Sequence, residues 1–243
     1  MRILLLAGTS EARDLAATLV AKGHSVTASL AGATRAPRDL GCNTRTGGFG
    51  GEQGFRDWIT QNPVDLVIDA THPFAVNITA RSARVCGEMN LPYLQVLREE
   101  WSASTGDKWT FIDEPEQSET VIPDNSRVFL ATGRQTLERF SGLSSCYLFC
   151  RQIDPPNGPF PLSNGEFIVG RPPFSVEDEV ALFTKLKIDW LVVKNAGGDM
   201  SRSKLDAARQ MGMPVLMINR AQRPVGPKVA TVGAALEWLD AHY

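Results

Sequence analysis

The chain has 243 residues, of which 43% are hydrophobic and 21% are charged, and its formal net charge is −2. This length allows one large domain or two small ones, and the apolar content excludes a disordered chain. The slightly negative charge argues against a general nucleic-acid-binding protein. No stretch approaches the roughly 20 apolar residues of a membrane span, and the first residues resemble a strand more than a signal peptide. A cytoplasmic protein is therefore expected.

The four cysteines do not have the spacing of a metal site. Cys146 and Cys150 lie four residues apart in a predicted strand and are expected on the same side of it, while Cys42 and Cys86 stand alone. This arrangement allows a thiol role, but buried free thiols are the more common outcome. Because no His, Cys or carboxylate spacing suits a metal, none is predicted.

The first thirteen residues carry the strongest local pattern. Ile3 to Ala7 is a continuous apolar run, typical of a strand buried on both faces. Gly8 ends the run, and Thr9 or Ser10 can cap the helix that follows. A strand, a tight turn and a helix N-terminus together favour an anion, usually a nucleotide phosphate. A plain connection with nothing bound has the same pattern.

Strand and helix patterns alternate along the rest of the chain. The predicted strands cover 25–30, 64–69, 92–97, 127–131, 146–153, 167–169, 190–193 and 215–218. The predicted helices cover about 52–61, a segment ending near 89, a segment from Ser175 to about 187, about 201–211, and 233–241. Residues 132–134 suggest a second strand–turn–helix element of the phosphate-binding type. This order predicts an α/β protein with two parallel-sheet halves facing a central cleft.

Charge suggests where one half ends and the other begins. Residues 99–125 are rich in Asp and Glu, and arginines become frequent after them. We therefore predict a first domain over 1–98, an acidic connector over 99–125 and a second α/β domain over 126–243. Charge scattered for solubility alone is the competing interpretation.

A second candidate site in the first half follows the strand at 64–69. Thr71, His72 and Pro73 come directly after it, at the carboxyl end of a parallel strand, where open α/β sheets bind ligands. A lone histidine is also often structural. The strand at 25–30 ends without the Asp or Glu that NAD sites use for a ribose hydroxyl, and Arg35 follows it. If a dinucleotide binds, this pattern favours NADP.

Strand ends in the second half carry mostly cations, namely Arg134, Arg171, Lys194 and Arg202. Cations gathered in a cleft indicate a carboxylated or phosphorylated ligand. No Ser/His/Asp nucleophile arrangement is evident. A cofactor is therefore expected to carry the chemistry, with the protein positioning two partners.

Four motifs, at residues 8–13, 69–75, 171–174 and 194–198, occur in order along the chain. Together they resemble the precorrin-6A reductase family of cobalamin biosynthesis, and the resemblance covers the whole chain. It implies a cytosolic enzyme with two Rossmann-like halves. It also implies that NADPH is used to reduce one carbon–carbon double bond of a corrin-precursor macrocycle, converting precorrin-6A to its dihydro product.

The resemblance also implies roles for individual residues. The NADPH site would comprise Gly8, Thr9, Ser10, Glu11, Arg13, Arg35, Thr71 and Pro73, with Arg35 near the 2′-phosphate. The carboxylates of the macrocycle would meet Arg134, Arg171, Lys194, Asn195, Gly197 and Arg202. His72 or Lys194 could donate the proton that the reduction needs, and so could water.

Two positions depart from the family pattern. Ala196 stands where the family commonly has Ser, so no catalytic role can rest on a hydroxyl there. Residues 98–101 read Arg-Glu-Glu-Trp, where the family often has Arg-Pro-x-Trp. Neither departure touches the phosphate turn or the cations.

Two alternative functions stay open. One is a nucleotide- or tetrapyrrole-binding protein without reductase chemistry, such as a carrier or a sensor on the same fold. The other is a transferase that uses an adenosyl cofactor, because many methyltransferases also bind at a glycine turn after the first strand. The strand end at 25–30, which lacks an acid for the ribose, counts against the transferase.

Overall fold

A computed structural model of the chain describes residues 1–32 and 38–243. Two compact units make up this part of the chain. The first unit contains Met1–Glu99 and Gln222–Tyr243, and the second contains Glu100–Ala221. No helix of the described residues is long and apolar enough to cross a membrane.

The described residues form twelve strands, six α-helices and three short 3-10 helices. The strands are β1 Arg2–Ala7, β2 Ser25–Leu30, β3 Asn43–Thr46, β4 Leu66–Ala70, β5 Tyr93–Val96, β6 Trp109–Ile112, β7 Arg127–Leu130, β8 Tyr147–Gln152, β9 Gly165–Val169, β10 Trp190–Lys194, β11 Val215–Ile218 and β12 Lys228–Val229. The α-helices are α1 Ser10–Ala21, α2 Gly51–Gln61, α3 Val76–Glu88, α4 Val176–Leu186, α5 Ser203–Gln210 and α6 Val232–His242. The 3-10 helices cover Pro115–Thr120, Arg134–Phe140 and Asp199–Ser201.

The sheet of the first unit has the strand order β3-β2-β1-β4-β5-β12, and all of its neighbouring strands run parallel. The chain winds outward from β1 in one direction and then from β4 in the other. The strand order therefore reverses between β1 and β4. In open α/β sheets, such a reversal opens a crevice at the carboxyl ends of the two strands, where ligands bind.

Strand β1 lies at the centre of this unit and is buried on both faces, as the apolar run predicts. Ile3 and Leu5 belong to the apolar cluster that also contains residues of α1 and α6. Leu4 and Leu6 belong to the opposite cluster, with Phe55 of α2. Each such side chain contributes about 1.5–3 kcal/mol relative to an exposed one, so β1 is firmly held.

The second unit repeats the same plan. Its sheet has the order β9-β8-β7-β10-β11-β6 and is again parallel throughout. The strand order reverses between β7 and β10. Phe129 of β7, Phe149 of β8 and Phe183 of α4 lie in its main core. The α/β prediction with two parallel sheets is confirmed.

The predicted boundaries at 98 and 126 differ from the observed units. Strand β6 lies inside the predicted acidic connector and pairs with β11, and its Ile112 is buried. The C-terminal residues, predicted in the second domain, complete the first unit: β12 pairs with β5, and Leu239 of α6 joins the core around β1. Charge counts do not reveal β6 and β12, because a short edge strand needs few apolar residues, and they carry no information on which core the helix α6 packs against.

The predicted helix after Gly133 is present, but it is a 3-10 helix and not an α-helix. Gly133 has a φ of 77° and leads into the 3-10 helix Arg134–Phe140 instead of an α-helix. A 3-10 helix has poorer hydrogen-bond geometry than an α-helix and is usually short. The second unit therefore lacks the α-helical N-terminus that a phosphate site of the predicted type would use.

Candidate functional site

The crevice of the first unit lies where β1 and β4 end. A Cβ atom added to Gly8 would lie 3.4 Å from the backbone N of His72 and 3.6 Å from the Cα of Thr71. Thr9 Oγ1 donates a hydrogen bond of 2.9 Å to the carbonyl of Ala70. The structure thus brings the turn after β1 and the turn after β4 together, as the sequence predicts.

The N-terminus of α1 faces this turn with hydrogen-bond donors. Thr9 caps the helix, because its Oγ1 accepts from Ala12 N at 3.3 Å. The earlier N–H groups of a helix have no partner within the helix, and the helix dipole adds positive charge there. In addition, Arg13 Nε is buried and has no hydrogen-bond partner. These donors suit an anionic group.

Glu11, in the first turn of α1, is paired with a cation. Its carboxylate lies 3.0 Å from Arg98 Nη1, and Ser10 Oγ donates to it at 3.2 Å. Burial favours a higher pKa for Glu11, but backbone hydrogen bonding and Arg98 outweigh burial and lower the pKa. The charged carboxylate is neutralised by Arg98 and is no phosphate ligand itself.

A buried carboxylate holds the turn after β4. Asp69 is 2% exposed and accepts four hydrogen bonds. Thr71 donates from its backbone N at 3.0 Å and from Oγ1 at 2.6 Å, Thr79 Oγ1 donates at 2.6 Å, and Tyr93 OH donates at 2.7 Å. Burial, followed by the charge of Asp69, raises the pKa of Tyr93, so the phenol stays protonated and donates. The backbone N–H and the hydroxyl of Thr71 are thus both engaged in shaping the turn.

Arg223 completes this network from the C-terminal part of the first unit. Its Nη1 lies 3.7 Å from Asp69 Oδ2 and donates to Thr79 Oγ1, while its Nη2 donates to the carbonyl of His72 at 3.4 Å. The Arg223 side chain is 7% exposed and that of Asp69 is 1% exposed. Sequence analysis missed Arg223, Thr79 and Tyr93. The only signal was an aspartate at the end of an otherwise apolar strand.

His72 has its tautomer set by the turn that carries it. Its Nδ1 accepts a hydrogen bond from Phe74 N at 3.2 Å. An accepting Nδ1 carries no proton, so the hydrogen-bond pattern assigns the proton of the neutral ring to Nε2. In this arrangement His72 is a hydrogen-bond donor through Nε2. Pro73 lies between these two residues, within the same turn.

The carboxyl end of β2 carries a cation that the sequence analysis did not single out. Arg45 of β3 donates to Ser29 Oγ at 2.6 Å and to the carbonyl of Gly48 at 3.1 Å. Its guanidinium lies 3.8 Å from the centre of the Phe49 ring. Arg35, the residue predicted near the 2′-phosphate, lies outside the described residues.

In the second unit, two predicted motifs follow the neighbouring strands β7 and β10. Residues 132–134 follow β7, and residues 194–198 begin at the end of β10. Lys194 is half-buried at this edge. Burial lowers the pKa of Lys194, and the positive charge of Arg139 lowers it further. Its ammonium therefore gives up a proton more readily than that of an ordinary lysine.

Three hydrogen bonds join the motif at 194–198 to Trp101. Asn195 accepts from Trp101 N at 2.8 Å and donates to Trp101 O at 3.0 Å, while Trp101 Nε1 donates to Gly198 O at 3.0 Å. Gly197 and Gly198 have φ angles of 65° and 76°, which favour glycine. The buried side chain of Asn195 is therefore used to hold Trp101, which does not support its predicted contact with a substrate.

The remaining predicted cations differ in their partners. Arg171 lies 3.7 Å from Asp154, and Arg202 pairs with Asp206 at 3.2 Å, one helical turn away. Arg134 is exposed, and its side chain makes no hydrogen bond or ion pair with any residue in the described part of the chain. Arg134 is thus the predicted cation best placed to meet an anion from solution.

The cysteines are all free thiols, and three of them are buried. Burial raises the pKa of Cys86 to about 12 and that of Cys150 to about 11, which keeps both protonated. Among residues 1–32 and 38–243, no group of three or more His, Cys, Asp or Glu residues could hold a metal ion.

Comparison with known proteins relates this geometry to a family. The family model described as "Precorrin-6x reductase CbiJ/CobK" matches residues 2–240. The precorrin-6A reductase of Rhodobacter capsulatus is 39% identical over 242 residues, covering 99% of this chain and 96% of that protein. A precorrin-6A reductase of Rhodococcus erythropolis is 41% identical, covering 98% and 97%.

A solved structure described as "CobK precorrin-6A reductase" agrees with the whole fold. Its TM-score is 0.95 at 39% sequence identity, and the match covers 100% of this chain and 97% of that one. The family resemblance inferred from the four motifs is confirmed. The chain belongs to the precorrin-6x reductase family CbiJ/CobK.

Proposed function

We propose that the protein reduces one carbon–carbon double bond of precorrin-6A with NADPH, in cobalamin biosynthesis. One observation carries this proposal: the family match over nearly the whole chain coincides with a reversal of strand order in each of the two sheets. The first reversal presents donors that suit a dinucleotide, and the second is flanked by cations that suit a polycarboxylate. A cytoplasmic location and a central cleft between the halves stay predictions.

The residues of the first unit fit a dinucleotide. A Cβ atom at Gly8 would make only ordinary contact with the turn after β4, so the absence of a side chain there would serve the close approach of a pyrophosphate. The N–H groups at the start of α1 and the unpartnered Arg13 Nε supply donors. Gly8, Thr9, Ser10 and Arg13 would hold the pyrophosphate. Thr71 and Pro73 would lie beside the nicotinamide.

Arg45 supports NADPH over NADH. In this strand order, the end of β2 is where a carboxylate would bind the ribose hydroxyls of NAD. Here that end carries Ser29, to which the guanidinium of Arg45 is bound. A guanidinium at this position favours a 2′-phosphate and leaves a free hydroxyl without its usual acceptor. Arg45 therefore joins Arg35 as a candidate ligand of the 2′-phosphate.

The substrate side rests on the cations of the second unit. The macrocycle carries many carboxylates, and Arg134, Arg171, Lys194 and Arg202 lie at or beyond strand ends of the second sheet. The side chain of Arg134 can bind a substrate carboxylate without giving up an ion pair. Arg171 is already paired with Asp154, and Arg202 with Asp206, so each would have to bind a substrate carboxylate beside its aspartate. Gly197 has no side chain, so it would contact the substrate through its backbone.

Lys194 is the better candidate for the proton donor. NADPH, when bound, supplies the hydride, and the neighbouring carbon must then gain a proton. A general acid works best when its pKa is close to the working pH, and burial moves Lys194 in that direction. The Nδ1 of His72 already accepts a hydrogen bond from Phe74 N within the turn, so only Nε2 of the ring is left to meet a ligand. His72 would instead orient a ligand by hydrogen bonding.

The first test is whether the purified protein consumes NADPH. With precorrin-6A and NADPH present together, we expect the absorbance of NADPH to fall, and to stay constant when either is left out. A carrier or a sensor would bind the tetrapyrrole without consuming NADPH. A transferase would need S-adenosylmethionine and ignore NADPH. Either of these results would contradict the proposal.

The specificity for NADPH can be tested by binding alone. We expect Arg45→Met to raise the Kd for NADPH about tenfold or more, because a charge-assisted bond to the 2′-phosphate is lost, and to leave the Kd for NADH nearly unchanged. Arg35→Ala tests the other candidate in the same way. Arg84→Met is the matched control, since Arg84 lies on the outside of α3 beside Glu52. Equal weakening of both cofactors by Arg45→Met and Arg35→Ala would remove these assignments.

The proton donor can be tested by the pH dependence of turnover. If protonated Lys194 is the acid, kcat falls as the pH rises through its lowered pKa. In Lys194→Arg, whose guanidinium stays charged, kcat is expected to be low and flat over the same range. A fall at high pH that persists in Lys194→Arg would exclude Lys194. Near-full turnover in His72→Ala would leave His72 as a residue of the turn only.

The buried ion pair can be tested by a double-mutant cycle on stability. We expect Arg223→Met to lower the free energy of unfolding by about 3 kcal/mol, because it leaves Asp69 buried without a countercharge. In the Asp69→Asn background the same substitution should cost much less. Arg2→Met, which breaks an exposed pair with Asp65, should cost much less than Arg223→Met, because water screens that pair. Urea unfolding measures all of these values, and additive effects of the two buried substitutions would contradict the coupling.

A further inference from the structure

A cavity of about 400 Å³ opens in the second unit at the carboxyl edge of its sheet. Its walls come from the 3-10 helix after β7, from the end of β8, from β9 and from the proline-rich loop between β8 and β9. The residues that matter here are Arg134, Leu137, Glu138, Gln152, Pro159 and Phe167. Ligand pockets in proteins usually measure about 300–1,000 Å³, so this cavity is large enough for part of a small molecule.

Gln152 lies in the wall of this cavity and carries a buried donor without a partner. It is the last residue of β8 and is 7% exposed, and its backbone carbonyl accepts from Gly170 N at 3.0 Å. Its side-chain Nε2, however, is buried and has no hydrogen-bond partner. Buried polar groups nearly always have a partner, and each exception needs an explanation. A ligand that supplies an acceptor oxygen would explain this one.

The charges at the cavity point to the sign of the ligand. Arg134 and Glu138 both line it and both are exposed, on the same 3-10 helix. Arg134 has no ion-pair partner among the described residues, Glu138 included. The buried donor of Gln152 and the unpaired guanidinium both attract an anion, whereas Glu138 alone repels it. An anionic group is therefore favoured, and its affinity is expected to be limited by Glu138.

The apolar walls point to the rest of the ligand. Phe167, which is half-buried, supplies aromatic surface, Leu137 lies buried behind the wall, and Pro159 belongs to a loop segment that carries several prolines. Burial of aliphatic groups against such a surface is favourable in proportion to the area removed from water. The ligand that matches both features has a short aliphatic chain that ends in a carboxylate.

We infer that this cavity binds one carboxyalkyl arm of the macrocycle, together with the ring edge that bears it. The carboxylate faces the guanidinium of Arg134 and, after the Gln152 side chain turns into the cavity, accepts a hydrogen bond from its Nε2. The alkyl chain lies against Phe167. This inference rests on the proposed function, because it assigns part of the same substrate to a defined place. It adds Gln152 and Glu138 as residues that set substrate affinity.

The test measures the Kd for precorrin-6A by ultrafiltration, without NADPH, for three variants. Gln152→Leu removes the buried donor, and Arg134→Gln removes the cation; each is expected to raise the Kd about tenfold or more, since hydrogen bonds to charged groups are lost. Glu138→Gln removes the repelling charge and is expected to lower the Kd several-fold. Gln210→Leu, an exposed glutamine of α5 outside the cavity, is the matched control and should leave the Kd unchanged.

The outcomes separate this inference from the proposed function. If the wild type reduces precorrin-6A but Arg134→Gln and Glu138→Gln change the Kd in the same direction or not at all, the cavity does not bind a carboxylate and the inference is overturned. If the wild type neither binds nor reduces precorrin-6A, both fail. Each variant should bind NADPH with the wild-type Kd, because the proposed NADPH site lies in the first unit. Should Gln152→Leu fail to fold, the two exposed variants decide the question.

Discussion

A negative charge inside the first unit constrains the candidate site more than any other feature. Asp69 lies near the end of β4, within an apolar core, and a carboxylate in such a place is tolerated only when its oxygens are fully bonded. Its four donors come from the turn that follows, from α3 and from β5, and Arg223 supplies the opposite charge. The hydrogen bonds to Asp69 fix the turn that carries His72 and keep it against the turn of Gly8.

The same strand order occurs in both units, yet the two crevices differ in chemistry. In the first, the turn after β1 leads into α1, a twelve-residue α-helix capped by Thr9, whose dipole places positive charge at its start. In the second, the turn after β7 leads into a 3-10 helix. Cationic side chains, and not an α-helix N-terminus, supply the positive charge that attracts anions there. Backbone donors suit the compact charge of a pyrophosphate, whereas separate guanidinium groups suit carboxylates spread around a large ring.

Much of the first unit could be predicted because its signals are local. The apolar run of β1 and the cap at Thr9 depend on neighbouring residues only. The strands β3, β6 and β12 were missed because they are short edge strands, and in β3 all four residues are polar. Arg45 and Arg223 were missed for another reason. Their importance comes from contacts with Ser29 and Asp69, which no sequence pattern relates to them.

We propose that the first unit holds the dinucleotide and that the second unit holds the macrocycle. A crystal structure of the protein with NADPH bound tests this claim most directly. It should have the pyrophosphate within hydrogen-bond distance of the backbone N–H groups at residues 8–11, and the 2′-phosphate beside Arg45 or Arg35. A pyrophosphate at residues 132–134 of the second unit would contradict it.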